Sequence, residues 1–340
     1  MPRAASLPLP AQTIFQLDGS VVPDSWFENL AIRQNGDLLV TMSQPYASIY
    51  AIHEPLSGSP TASIINIDNA NGTIGIFETS PDVFAVAAGL YSSLAVPVPG
   101  TLALWEVDLR GSEPATRLIV NMPDAGGLNG VTGIKGNEPS TTILVADYGL
   151  ALVWRVDVKT GEYEVAAKVP EMEPLPNATI PLGVNGLKTS RDGGYLYFSN
   201  SNLASIFRLA IDERGIARKG ARAELVARFE ADDIDDFAID DETGDFWACT
   251  NFQDTVAVAR FGSTTPGVVV AGSPADLTVA GDTALALGGR TESDKDIVYV
   301  VTGGALARPV NGTVTEPAKV VAINRRGFQD SSPSSPSCRT

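Results

Sequence analysis

The stretch "ILVADYGLALVWRVDVKTG", residues 143–161, decides the fold. A short apolar run, 143–146, ends on Asp147-Tyr148. A second run, 151–156, carries Trp154 and closes on Asp157, and Lys-Thr-Gly then turns the chain. Both runs are too short for helices, and aromatic and β-branched residues bounded by polar and Gly-containing turns read as strands. The same order recurs along the chain: "LLVTMSQPYASIYAI", then "VFAVAAGLYSS" with a long loop before "LALWEVDL", then "YLYFSNSNLASIFRLAID", "DFWACTNFQDTVAVARF" and "IVYVVTGGALARPVNGTVTEPAKVVAIN". Units repeating at roughly 45–60 residues have the spacing of propeller blades. The sequence therefore reads as all-β, a six-bladed β-propeller of four-stranded antiparallel blades around a central channel. "TIFQLD", 13–18, is expected to add an outer strand to the last blade and close the ring.

The first unit poses a question. In "WFENLAIRQNGDLLVT", residues 26–41, Ala31-Ile32-Arg33 and Leu38-Leu39-Val40-Thr41 read as a hairpin about Gln34-Asn35-Gly36-Asp37. Glu28 and Asn29 then stand at the mouth of an otherwise buried strand. A propeller explains such residues. The innermost strand of each blade starts at one face, and the loop between the second and third strands returns there. Polar groups at those places share one funnel. The strand mouths carry Glu28, Asn129, Asn185 and Asp235. The return loops carry Gln44, Tyr46, Tyr91, Asp147, Tyr148, Asn200, Asn202, Asn251, Phe252 and Thr302.

The chain has 340 residues, 44% of them apolar, with 24 Lys and Arg against 40 Asp and Glu, a net charge of −16. Without a basic stripe, neither nucleic acid nor an anionic membrane is an expected partner. No apolar run reaches membrane-spanning length, and "MPRAASLPLPAQ" lacks the apolar core of a signal peptide, so a cytoplasmic location is expected. Two cysteines form no disulfide framework; Cys249 reads as core and Cys338 as part of a Ser/Pro tail, 330–340, expected to be disordered after one propeller domain, 1–329. The single histidine, His53, falls at a strand end away from the funnel, which rules out a His-based triad. Trp105, Trp154 and Trp247 sit inside strand patterns and read as packing. "GGLNGVTG" has no following helix to cradle a phosphate, and "DIDDFAIDDETGD" lacks the spacing of a calcium-binding helical loop.

The motifs "GVNGLKTSRDGGYLYFSN", "ILVADYGLALVWRVD" and "DDFAIDDETGDFWACTN" resemble the regucalcin/gluconolactonase, or senescence-marker-like, propellers from about Phe27 to Asn324. That resemblance implies a divalent cation (Ca²⁺, Zn²⁺ or Mn²⁺) held by Glu28, Asn185 and Asp235, with Asn129 lining the substrate site, and lactone hydrolysis as the reaction. The surroundings depart from the family: Glu28-Asn29-Leu30 replaces Glu-Gly-Pro, Val184 replaces the Pro before Asn-Gly, and Asp235-Asp236 replaces Asp-Gly. "FENLAIRQNGDLLVT" with "DDFAID" resembles a fungal secondary-metabolism branch, which includes the hetero-Diels–Alderases of tropolone–sesquiterpenoid biosynthesis. The branch implies cycloaddition of a tropolone-derived ortho-quinone methide with a humulene-type alkene, with no cofactor and with small apolar substrates as partners. Catalysis would then fall to Glu28, Asn129, Asn185 and Asp235. The substrates would meet Trp26, Gln44, Tyr46, Tyr91, Tyr148, Asn200, Asn251, Phe252 and Thr302.

Overall fold

The structure, a computed structural model, describes residues 6–134, 140–326 and 328. The 330–340 tail, Cys338 included, lies outside the described residues. Six four-stranded antiparallel sheets form a six-bladed propeller. Counted from the channel outward, the first blade is Trp26–Ile32, Leu38–Gln44, Ser48–His53 and Thr61–Asn66. The inner strands of the next four blades are Gly72–Ser80, Leu128–Gly133, Val184–Thr189 and Phe237–Ile239. The sixth blade runs Asp282–Leu287, Ile297–Thr302, Lys319–Asn324 and then Ala11–Gln16, which pairs antiparallel with Lys319–Asn324. The first strand in sequence thus completes the last blade, as expected, and covers the outer edge of Lys319–Asn324.

Inner and middle strands are covered on both faces by neighbouring blades, so their apolar runs are nearly continuous: 38–42 are all buried. Outer strands show the opposite, with most of Thr61–Asn66 exposed. Trp154 packs edge-on to Tyr163 and Trp247 against Phe328, while Trp105 lies half-buried beside an apolar cluster. Cys249 is a buried free thiol.

The inner strand of the first blade begins at Trp26, not at Ala31, so Glu28 and Asn29 lie within it. Phe27 pairs with Met42 and Leu30 with Val40, leaving Glu28 and Asn29 opposite Thr41 alone. This is a β-bulge, two residues against one. The same break leaves Asn129-Gly130 and Asn185-Gly186 unpaired in their blades. In the fifth blade Asp235-Asp236 occupies the equivalent place just before Phe237. Hydroxyls repair the interrupted ladders. Thr41 Oγ1 accepts from the Asn29 N–H and donates to the Ile74 carbonyl of the next blade. Ser199 Oγ accepts from the Gly186 N–H at 2.7 Å and donates to the Asp235 carbonyl at 2.8 Å. The bulges bring neighbouring blades very close. A Cβ on Gly130 would lie 2.6 Å from the Asn185 carbonyl oxygen, and one on Gly186 would lie 2.3 Å from Asp236 Oδ1. Only glycine fits such an approach.

Candidate active site

The first member of each bulge faces the mouth where the inner strands begin. There the Glu28 carboxylate accepts from Trp26 Nε1 and, at 3.3 Å, from Asn129 Nδ2. Asp235 Oδ1 accepts from Asn185 Nδ2 at 2.8 Å, and its Oδ2 accepts from Asn251 Nδ2 at 3.2 Å. Asn185 also donates to Ser201 Oγ at 3.0 Å, and its own Oδ1 is buried without a partner. Side chains from four blades therefore converge: Trp26 and Glu28, Asn129, Asn185, and Asp235 with Asn251.

The second member of the bulge turns to the channel axis. Asn29 Nδ2 donates to Asp236 Oδ2 at 3.1 Å, and Lys188 Nζ reaches both Asp236 oxygens at 2.8 and 3.0 Å. This knot floors the site. Asp236, which stands where the resembling propellers have Gly, is matched to Lys188 on the axis, and its charge still bears on Glu28 and Asp235.

Burial lifts the Glu28 carboxyl to about 7 against the hydrogen bonds from Trp26 and Asn129, and Asp236 adds to the rise. Burial, then the charges of Glu28, Asp233 and Asp236, raises Asp235 well above the ordinary carboxylate range. Water would stabilise both charges; a nearly dry site does not. Two phenols belong to the same neighbourhood, since burial raises Tyr91 and Tyr148 and the Glu28 charge pushes each further. Tyr148 Oη donates to the Ala95 carbonyl at 3.1 Å, whereas the buried Tyr91 hydroxyl has no partner among the described residues.

Other residues singled out in the sequence are held elsewhere. Asn200 Nδ2 donates to the Glu171 and Glu173 carbonyls, and Asn202 binds backbone at Leu182 and Ile180, so both clamp the 171–182 loop. Asp147 is fully buried and accepts from Trp154 Nε1 and the Gly126 and Leu150 N–H groups. Thr302 is buried and accepts from the Lys319 N–H. Gln44 donates to the Asp24 carbonyl, Tyr46 is exposed on the rim, and Phe252 is half-buried with its N–H on Asp233. His53 lies at the far face, bonded to Asp37 and Ser63. Two shallow clefts, one beside Ala11–Gln16 and one over the 35–37 turn, also open on the far face, away from the converging carboxyls.

The resemblance to the regucalcin/gluconolactonase propellers implies a divalent cation. Among the described residues no three Asp, Glu, His or Cys side chains gather at one point, but Glu28 and Asp235 with the unpartnered Asn185 Oδ1 make a set of hard oxygen donors. That set fits such a cation in donor type.

No protein-family profile matches the chain. It is 32% identical over 335 residues to a Phoma species protein named "Putative hetero-Diels-Alderase", covering 91% of this chain and 90% of that one. It is 28% identical to "Putative hetero-Diels-Alderase asR5" of Sarocladium schorii, over 96% of this chain and 86% of the relative. Among solved structures, the calcium-binding regucalcin of Agrobacterium tumefaciens superposes with a TM-score of 0.61 at 14% identity, over 95% and 96% of the two chains, which is a likeness of fold. A propeller of regucalcin shape, related along nine-tenths of its length to the Phoma protein, belongs to the hetero-Diels-Alderase family.

Proposed function

We propose that the protein joins an ortho-quinone methide derived from a tropolone to a humulene-type sesquiterpene alkene by hetero-Diels–Alder cycloaddition at the Glu28–Asp235 mouth. Two bonds form: the exocyclic methide carbon to one alkene carbon, and the heterodiene oxygen to the other. No atom is lost, and a dihydropyran results. The observation that carries this reading is a pair of buried carboxyls whose site favours the protonated form. A neutral carboxyl donates a hydrogen bond to the heterodiene oxygen and stabilises the charge that develops there. The same acid suits formation of the quinone methide. It protonates the leaving hydroxyl, which departs as water, while the ring hydroxyl gives its proton to the partner carboxylate. Holding two apolar reactants in near-attack geometry supplies much of the remaining rate.

The loops at this mouth expose Leu90, Val96, Leu175, Ile180, Leu203 and Val314. Such a rim suits small apolar substrates. Among the described residues no helix is long and apolar enough to cross a membrane; a cytoplasmic location is part of the same proposal.

The test is incubation of the purified chain with a hydroxymethyl tropolone precursor and humulene, with and without EDTA. The expected result is one dihydropyran stereoisomer, formed at a rate unchanged by EDTA. A racemic product at the background rate refutes the proposal. The unpartnered Asn185 Oδ1 favours a second reading, a metal-dependent lactonase or esterase of the gluconolactonase type. Glu28, Asn185 and Asp235 would then hold the cation, which would polarise a substrate carbonyl. Lactone hydrolysis lost in EDTA and restored by Ca²⁺, Zn²⁺ or Mn²⁺ would establish that reading instead.

A further inference from the structure

We infer that Tyr91 is a catalytic residue whose phenol hydroxyl donates a hydrogen bond to the substrate's ring oxygen, and that Asn71 is the residue that positions it. The inference rests on the cycloaddition reading of the same mouth.

Tyr91 opens a small hairpin, Tyr91–Ser93 with Val96–Pro97, that leaves the second blade on the site face. Asn71 grips its backbone on both sides: Nδ2 donates to the Tyr91 carbonyl at 2.9 Å, and Oδ1 accepts from the Tyr91 N–H at 2.7 Å. The ring then lies against the backbone of Gly72. A Cβ at Gly72 would meet the Ser43 carbonyl oxygen at 2.5 Å and the Tyr91 ring at 3.0 Å, so a larger residue would displace the ring. A side chain fixed this firmly by a neighbouring amide and a close-packed glycine loses little entropy when it binds.

The hydroxyl at the end of this ring is the unusual feature. It is buried and has no partner among the described residues, although buried polar groups nearly always find one. It shares a neighbourhood with Glu28 and Tyr148. Of the two phenols beside Glu28, Tyr148 already donates to Ala95, so the free donor is Tyr91. A rigid, unengaged O–H in the neighbourhood of Glu28 is what an oxygen gaining negative charge in the transition state requires. The donor is neutral across the working pH range, so it complements the carboxyls without adding charge to a dry site.

The experiment uses the full chain with two readouts. The first is kinetic, on the cycloaddition. Tyr91→Phe should lower kcat by about 10- to 100-fold with KM changed less than about three-fold, the pattern of a donor engaged in the transition state. Asn71→Ala should lower kcat by less and should add nothing further in the Tyr91→Phe background, since it acts through Tyr91. The second readout needs no turnover. Tropolone labelled with ¹³C at the carbonyl should show a downfield displacement on binding to the unaltered protein, and Tyr91→Phe should abolish it. Full kcat in Tyr91→Phe, additive losses in the double variant, or a carbonyl signal that is the same in both proteins each overturns the inference. Tropolone that fails to bind the unaltered protein at millimolar concentration overturns it too. If the displacement depends on Tyr91 but no cycloaddition occurs, the hydrogen bond stands and the proposed reaction falls.

Discussion

Replacing Glu28 by Gln removes the ionisable group while keeping its shape. In the folded protein Glu28 titrates near 7 instead of the ordinary 4.5. Folding therefore retains a proton that the unfolded chain has already released. The resulting stability is fully present below pH 4.5 and is lost as the pH rises to about 7. At about 1.4 kcal/mol per pH unit the loss is about 3 kcal/mol. Over 340 residues the entropy of unfolding is about 0.7 kcal/mol/K, so the loss corresponds to about 4 °C in Tm. Glu28→Gln cannot lose this contribution. Its amide will meet the Trp26 or Asn129 N–H less well, at about 1–3 kcal/mol, but that offset is the same at every pH. The charge of Glu28 also raises Asp235, so removing it eases ionisation there and moves the balance in the same direction. Differential scanning calorimetry in EDTA from pH 4.5 to 8 should show Tm of the unaltered protein falling by about 4 °C relative to the variant. A Tm difference constant to within about 1 °C would show that Glu28 is not lifted and would remove the neutral acid from the proposed mechanism.

Three further outcomes follow from other parts of the channel. Lys188→Met leaves the buried Asp236 carboxylate with two neutral donors, Asn29 Nδ2 and the Phe237 N–H, and no cation, and should cost about 3–5 kcal/mol in chemical denaturation; adding Asp236→Leu should recover much of the loss. Gly186→Ala forces a methyl to within 2.3 Å of Asp236 Oδ1 and should destabilise by about 1–3 kcal/mol, read as a lower Tm. Tyr148→Phe removes one hydrogen bond to the Ala95 carbonyl and should change kcat by less than about three-fold, in contrast to Tyr91→Phe.

The ring was legible because blade units repeat, and its closure because 13–18 read as a strand outside the six repeating units. The four site-facing polar residues were legible because each precedes the apolar part of an inner strand. The bulges were not. A two-residue interruption breaks the period on which strand reading depends, so the first inner strand was started at Ala31 and Glu28 was set outside it. For the same reason the sequence did not show that consecutive residues diverge, Glu28 and Asp235 to the mouth, Asn29 and Asp236 to the axis. Lys188 carried a signal that went unused. "NGLKT" beside "NGVTG" puts a lysine where the neighbouring blade has Thr132, a cation on a strand buried on both faces. The return-loop residues sorted unpredictably because loop paths decide them: Asn200 holds a loop, Tyr46 faces solvent, and Tyr91 is folded inward by Asn71.

The charges in the channel explain why the two networks need each other. Three carboxyls, Glu28, Asp235 and Asp236, lie close enough to influence one another, and among the described residues Lys188 is the cation bonded to them. Lys188 matches Asp236 and leaves no cation for the pair at the mouth. Two unmatched carboxylates in a poorly hydrated space would repel strongly, and the amides of Asn129, Asn185 and Asn251 offset only part of that cost. A proton, or a divalent cation of the kind this donor set fits, is the remaining means of neutralisation. The axial lysine, by matching one carboxylate alone, leaves that choice open at the mouth. A lysine at the mouth would pair with those carboxylates itself and repel a cation; set on the axis, Lys188 leaves the pair free to hold either the proton that the proposed cycloaddition uses or the cation that lactone hydrolysis would use.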